Sequence, residues 1–110
     1  MRKWTVQDRY DNTIYLTEER WCHILESRPE LKPFFEQFLE TMRTGRRKQD
    51  ALMPNEYRYL KQFDELLPEN NHLIVLVVFK TQIDEIGNYT PNNFVVTGWA
   101  KFIVGKKVKG

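Results

Sequence analysis

The chain has 110 residues, of which 41% are hydrophobic, 14% aromatic and 29% charged. This length suits one domain, and this composition excludes a globally disordered chain. Its 17 basic and 15 acidic residues leave a net charge of only +2, so the total does not by itself indicate a nucleic-acid partner.

Composition also limits the kinds of site and the location that we expect. One cysteine excludes an internal disulfide and a CxxC metal pair. The opening residues MRKWTVQDRYDN lack an apolar stretch of signal-peptide type, and no apolar run approaches the ~20 residues of a membrane span. We therefore expect a cytoplasmic protein without membrane contact. One domain should occupy residues 1–110, with a core over about 4–104 and a basic tail at 105–110.

The N-terminal residues predict a hairpin or short strands followed by a helix. Residues 3–8 alternate weakly, a turn signal follows, and residues 13–16 form the second arm. Thr17 is an expected N-cap, with two glutamates after it in the first turn. The helix runs to about Ser27, and Trp21 and Ile24 share one of its faces. Cys22, next to these apolar positions, is interpreted as a buried, inert thiol.

A second helix is predicted to begin near Glu30 or Pro33 and to end at Thr44, with Gly45 as its C′ residue. After Gly45 the pattern changes to strands, separated by turns and polar loops such as residues 84–92. The predicted strands cover residues 48–53, 57–63, 72–80 and 94–104. Short connections favour antiparallel pairing. The predicted fold is therefore α+β, with two helices packed on a four-stranded antiparallel sheet.

The motifs of several enzyme classes are missing from the sequence. There is no GxxxxGK[ST] or GxGxxG loop, no GxSxG elbow and no HExxH or Cys/His cluster. We therefore expect neither a metal nor a cofactor. Metal-independent RNA cleavage needs none of these motifs, because the 2′-hydroxyl is the nucleophile and the protein supplies proton transfer and phosphate stabilisation.

Five residues are candidates for that chemistry. His23 would be the acid or base, since histidine titrates near neutral pH. Arg58 and Lys61 would bind the phosphate, Tyr59 would donate from its phenol or stack on a base, and Thr97 would donate to a phosphate oxygen. Each also has a structural interpretation. The histidine would be exposed or bonded to a strand, the tyrosine would pack at the edge of the core, the cations would be solvated, and Thr97-Gly98 would mark a bulge.

The stretch TEERWCHILESRPEL resembles the helical W-x-H-I-x-x-x-H-P-E opening of phage-associated nuclease-like domains in the barnase–EndoU–colicin–RelE superfold. EYRYLKQF, LIVLVVFK and NNFVVTGWA are similar to the three strands that follow in that family. The resemblance covers about residues 13–103. It implies a RelE- or barnase-like fold, a metal-free endoribonuclease activity, often as a toxin, and roles for His23, Arg58, Tyr59, Lys61 and Thr97.

The chain departs from the family pattern at two points. Arg28 replaces the second histidine, and Gly98-Trp99 replaces a small residue followed by tyrosine. Because arginine is a poor proton shuttle, the alternative is an inactive RNA- or protein-binding module of the same fold. RNA would meet basic residues, and an antitoxin-like protein or a second copy of the chain would pair with an edge strand. The basic residues expected to bind RNA are Arg28, Arg46, Arg47, Lys48 and Lys101.

Overall fold

A computed structural model describes residues 2–66 and 68–104, and the predicted basic tail lies outside these residues. The described part forms two α-helices, one 3-10 helix and eight strands. In chain order they are β1 (Lys3–Gln7), β2 (Thr13–Thr17), α1 (Glu18–Ser27), the 3-10 helix (Pro29–Phe34), α2 (Phe35–Thr44), β3 (Arg46–Gln49), β4 (Glu56–Gln62), β5 (His72–Val78), β6 (Thr81–Ile83), β7 (Tyr89–Pro91) and β8 (Asn93–Lys101).

The α+β class with two helices is confirmed, but the prediction of a four-stranded antiparallel sheet is wrong. The main sheet has six strands in the order β1-β2-β8-β5-β4-β3, because the N-terminal hairpin joins it. The junction is parallel, with Ile14 opposite Asn93 and Tyr15 opposite Phe94. Most of the chain lies between these two strands, so no short connection forces them to be antiparallel.

The first helix has the predicted bounds and cap. The Thr17 hydroxyl accepts a hydrogen bond from the Arg20 amide at 3.0 Å, and this satisfies one of the free donors of the first turn. Trp21 and Ile24 are buried, as their spacing predicts. Cys22 is exposed, which corrects the expectation of a buried thiol. One residue of helix turns the chain by about 100°, and this places Cys22 off the apolar face.

The second helix begins later than predicted because of its prolines. Residues 29–34 form a 3-10 helix that contains Pro33, and α2 starts only at Phe35. Proline has no amide hydrogen to donate to a preceding turn. Gly45 follows the helix but has an extended φ of −70°, so no left-handed cap forms. Glycine is needed there for space, since a Cβ would lie 2.7 Å from the Leu60 carbonyl oxygen.

One hydrophobic cluster holds the helices against one face of the sheet, here called the covered face. Phe38 of α2 occupies the space where a Cβ of Gly98 would project, and Gly98 pairs with Val75. Directly opposed residues share a face of a sheet, so alternate positions on each strand point to this cluster. The buried residues of the cluster are Val6, Ile14, Leu16, Trp21, Ile24, Leu31, Phe38, Leu39, Met42, Tyr59, Leu73, Val75, Val77 and Val95.

The opposite face, here called the open face, is left uncovered by both helices. Side chains of β4 alternate between the two faces: Tyr59 is opposite Val75 on the covered face, whereas Arg58 is opposite Leu76 on the open face. The same rule assigns residues of the other strands. Those on the open face include Lys3, Tyr15, Arg46, Lys48, Leu60, His72, Ile74, Phe94, Thr97, Trp99 and Lys101.

The two ends of the six-stranded sheet meet on the covered face. Asp8, just after the edge strand β1, accepts a hydrogen bond from the Tyr59 hydroxyl on β4. Next to it, the Arg47 guanidinium of the other edge strand lies 4.5 Å from the Tyr10 ring centroid. A flat sheet would keep these edges about five strand spacings apart, or roughly 24 Å. The sheet is therefore strongly coiled around the helices.

A two-stranded hairpin occupies a region that the sequence pattern assigns to a polar loop. β6 and β7 pair antiparallel, with Ile83 opposite Tyr89, and Gly87 in the turn has a φ of +92°. Ile83, Ile86 and Tyr89 are 60%, 82% and 72% exposed. The strands are only three residues long, which is too short for a clear alternating pattern.

Gly98→Ala should destabilise the fold. Its Cβ would lie 2.6 Å from Cζ of Phe38 and 2.9 Å from the Ile74 carbonyl oxygen. Overpacking of this kind lowers the free energy of unfolding by about 1–3 kcal/mol, which urea denaturation would measure. Adding Phe38→Leu should recover part of the loss. Unchanged stability of the single variant would contradict the close packing of α2 on β8.

Candidate nucleic-acid interface

A buried polar cluster connects the ends of the sheet. Asp8 accepts hydrogen bonds from the amides of Tyr10 (2.9 Å) and Asn12 (2.8 Å), from the Asn12 side chain (3.2 Å) and from the Tyr59 hydroxyl. Burial would raise the pKa of Asp8, but these donors outweigh it, and the pKa lies below its usual value. Burial, together with the hydrogen bond to Asp8, raises the pKa of Tyr59 well above 10. The pair therefore holds a carboxylate and a neutral phenol at neutral pH.

Arg47 completes this cluster as a cation between aromatic rings. Its guanidinium carbon lies 4.3 Å from the Tyr57 centroid, 4.5 Å from that of Tyr10 and 5.4 Å from that of Phe79. Guanidinium groups bind the faces of aromatic rings in this way. The contacts place Arg47 on the covered face as packing between the two edge strands.

The structure does not bring the five predicted catalytic residues together. Tyr59 is fully buried on the covered face, and its hydroxyl is bonded to Asp8. Lys61 lies on the same face, opposite Leu73. Arg58 and Thr97 lie on the open face, where each pairs with Leu76 from opposite sides. They are therefore separated by two strand spacings, or about 10 Å.

The surroundings of His23 and Arg58 and the irregularity of β8 complete the description of the predicted catalytic set. The His23 side chain is 66% exposed on α1, and its Nδ1 lies 3.6 Å from the Glu26 carboxylate. Arg58 donates to Asp50 at 2.9 Å. The irregularity of β8 falls one residue before the predicted Thr97-Gly98 bulge, because Val95 and Thr97 pair with consecutive residues of β5 and Val96 pairs with neither.

The predicted RNA-binding cations are distributed over both faces. Arg46, Lys48 and Lys101 are exposed at open-face positions. Arg47 is held on the covered face. Arg28, at the end of α1, lies 6.0 Å from the Trp99 ring centroid. Three of the five are thus presented on the face that no helix covers.

The open face carries an aromatic pair that the sequence analysis did not identify. The ring centroids of Tyr15 and Phe94 lie 6.1 Å apart across the β2–β8 junction. The Nζ of Lys3 is 4.6 Å from the Tyr15 centroid, and that of Lys80 is 5.9 Å from the Phe94 centroid. The Tyr15 hydroxyl donates to the Asn92 side chain at 2.9 Å. Two half-buried rings are thus fixed in position with exposed lysines over them.

The two rings line a pair of adjoining clefts, here together called the aromatic groove. Adjoining clefts share Tyr15 and Thr17. Arg20 of α1 lines the groove on one side, and Gln82 of the β6–β7 hairpin lines it on the other. A further cleft continues past Arg20 and Thr17 to Glu19 and His23. Its described lining residues are Lys3, Tyr15, Thr17, Arg20, Gln82, Asn92, Phe94 and Val95.

A second concavity, here called the basic cleft, lies where α2 ends and β3 begins. Among its described lining residues are four basic or titratable side chains and no carboxylate. Two of them, Arg46 and Lys61, belong to the predicted set, whereas Arg9 and His72 do not. The described residues that line it are Arg9, Thr44, Gly45, Arg46, Leu60, Lys61, Gln62 and His72.

The residues that sequence reasoning missed come together only through long-range pairing. Tyr15 and Asn92 are 77 positions apart, and Asp8 and Tyr59 are 51 positions apart. A signal was nevertheless present for Asp8. An aspartate followed by a turn (DRYDN) is typical of a side chain that bonds the backbone of that turn, as Asp8 does.

Comparison with protein-family models, with curated proteins and with solved structures gives no match to this chain. The resemblance to the barnase–EndoU–colicin–RelE superfold therefore stays a prediction. Among the described residues, no group of three or more His, Cys, Asp or Glu side chains is arranged to hold a metal ion. No helix in the same part of the chain is long and apolar enough to cross a membrane.

Tyr59→Phe should destabilise the protein by about 1–3 kcal/mol near neutral pH, because the buried Asp8 carboxylate loses a donor. The pKa of Asp8 is lowered in the folded state, so its stabilisation is complete above the usual aspartate value and is lost as the pH falls through the lowered pKa. The effect of the substitution should therefore shrink below about pH 4.

Urea denaturation over this pH range would measure the effect, with Tyr57→Phe as the control on the same strand and face. An equal effect of both variants at every pH would contradict the Asp8–Tyr59 bond.

Proposed function

We propose that this protein binds single-stranded RNA on the open face, with the aromatic groove holding the bases. The observation that carries the proposal is the Tyr15–Phe94 ring pair with Lys3 and Lys80 over it. Proteins bind single strands by stacking bases on aromatic rings while cations follow the backbone. Both parts of that arrangement are present in the aromatic groove.

The positions of the rings support stacking of bases on them. Tyr15 and Phe94 are half-buried, so each ring is anchored by the sheet and still reaches solvent. The side chains nearest their faces are exposed lysines. A lysine has a flexible stem, so it can leave the ring for a phosphate when a base arrives. The exchange replaces one cation–π contact with base stacking and an ion pair.

The charges on the open face favour a polyanion. Five basic side chains lie at open-face positions of the strands. On β4, the acidic residue Glu56 also lies on this face. Asp50, just after β3, is bonded to Arg58. The cations at the ends of the strands would extend the backbone path from the groove across the sheet. The five are Lys3, Arg46, Lys48, Arg58 and Lys101.

RNA cleavage is not part of this proposal. The predicted mechanism needs its proton-transfer and phosphate-binding groups on one phosphate, and the register places Tyr59 and Arg58 on opposite faces. The inactive, RNA-binding alternative fits that arrangement. Strand pairing by an antitoxin-like partner or a second copy is less favoured at β3, because its RRKQ sequence carries three cations, and charged edges oppose added strands.

Tyr15→Leu and Phe94→Leu should each weaken RNA binding at least about fivefold, because stacking one base contributes about 1–3 kcal/mol. Tyr15→Phe keeps the ring and should bind like the unaltered protein. Lys3→Gln should reduce the salt dependence of binding by about 0.7 in the log–log slope. Fluorescence anisotropy with a labelled, unstructured RNA oligonucleotide of mixed sequence would measure these effects.

Tyr89→Leu is the matched control, because Tyr89 is an exposed ring that does not line the groove. Equal losses for Tyr89→Leu and Phe94→Leu would contradict the proposal. So would binding of a protein partner to the open face with no affinity for RNA. Incubation of the RNA in excess EDTA, with His23→Ala beside the unaltered protein, tests the cleavage alternative. Cleavage lost in that variant would replace the proposal with the nuclease prediction.

A further inference from the structure

The basic cleft is a second candidate site, and neither Tyr15 nor Phe94 is among its described lining residues. Its cations come from three separate elements: Arg9 from the β1–β2 turn, Arg46 from the open face of β3 and Lys61 from the covered face of β4. Like charges that share a concavity repel one another unless an anion neutralises them. None of the described residues that line the cleft is a carboxylate. The cleft therefore has the composition of an anion site.

His72 is a lining residue of this cleft whose charge depends on pH. The Asn71 side chain is fixed by two hydrogen bonds to Ile103: its amide nitrogen donates to the Ile103 carbonyl at 3.0 Å, and its oxygen accepts from the Ile103 amide at 2.9 Å. His72 Nδ1 lies 2.8 Å from that same oxygen. Nδ1 must therefore carry a hydrogen to bond it. The other ring nitrogen, Nε2, is left to take up a proton.

The cations that line the basic cleft disfavour a further positive charge on His72 in the unliganded protein. Arg9, Arg46 and Lys61 line the same cleft, and Lys101 is opposite His72 on β8. Burial also lowers the pKa of His72. A tetrahedral oxyanion in the cleft would reverse this balance, because a nearby negative charge favours the imidazolium.

We propose that the basic cleft binds a phosphate group and that binding is coupled to protonation of His72. The ligand class is a phosphate oxyanion, either free or in an RNA backbone. The inference goes beyond the proposed function, because it concerns a separate site and does not need the aromatic groove. Arginine and lysine supply the donors for phosphate oxygens, and His72 makes the affinity rise as the pH falls.

The chain offers a direct test, because His23 and His72 are its only histidines. NMR titration of both imidazoles would be made with and without inorganic phosphate, and with sulfate as an oxyanion of constant charge. The pKa of His72 should rise by at least about half a unit, which corresponds to about threefold tighter binding by the protonated form. The imidazole resonances of His23, which is not among the lining residues of the cleft, should not respond to phosphate or sulfate.

Arg46→Gln and Lys61→Gln should each remove most of this rise. Lys48→Gln is the control, since Lys48 lies on the same strand as Arg46 but does not line the cleft. The His23 resonance and the thermal midpoint report whether each variant is folded. An equal response of the His23 and His72 resonances to the anions, or equal effects of Lys48→Gln and Arg46→Gln, would overturn the proposal.

The same titration with a single-stranded RNA oligonucleotide distinguishes the two sources of phosphate. A rise with RNA as well as with inorganic phosphate assigns the cleft to the RNA backbone. A rise with inorganic phosphate alone assigns it to a free oxyanion. Absence of a rise with all three anions would overturn the site, whereas loss of RNA binding in the Phe94→Leu variant concerns only the aromatic groove.

Discussion

The hydrogen bond between Tyr59 and Asp8 joins the turn after the edge strand β1 to β4, the neighbour of the other edge strand, and the rest of the architecture depends on that closure. The phenol donates from the interior of β4 to a carboxylate that the β1–β2 turn already holds with its amides. Arg47 reinforces the closure by packing against rings from both ends. Because the sheet must coil for these groups to meet, the helices lie on its inner side, and its outer side remains free for a ligand.

Neighbouring residues of one strand have different roles because their side chains point to opposite faces of the sheet. Tyr59 and Arg47 point inward and stabilise the fold, whereas Arg58, Arg46 and Lys48 point outward with the aromatic pair. Because side chains alternate between the core and the outer face along a strand, consecutive polar residues that resemble one motif are split, with some buried in the core and the others on the open face. This division favours a binding surface built from several strands over a catalytic centre built from one motif.

Local patterns were sufficient to predict much of the fold. Thr17 and the glutamates after it mark the start of α1, and the alternation of EYRYLKQ assigns the two faces of β4. The parallel pairing of β2 with β8, the coiling of the sheet and the short β6–β7 hairpin have no comparable local signal. The same limit applies to the site: Tyr15 and Phe94 become neighbours only through that parallel junction. Asp8 acquires its buried environment from a strand 51 positions later.

The most direct test of the account is a map of RNA contacts on the folded protein. Amide chemical shifts of isotopically labelled protein would be followed while an unstructured RNA oligonucleotide is added. The account predicts that the largest changes fall on β2 and β8 around Tyr15 and Phe94 and extend to the open-face cations. Amides of α2, which packs on the covered face, should change little. Changes centred on α2, or no changes anywhere, would contradict the assignment of the open face as an RNA-binding surface.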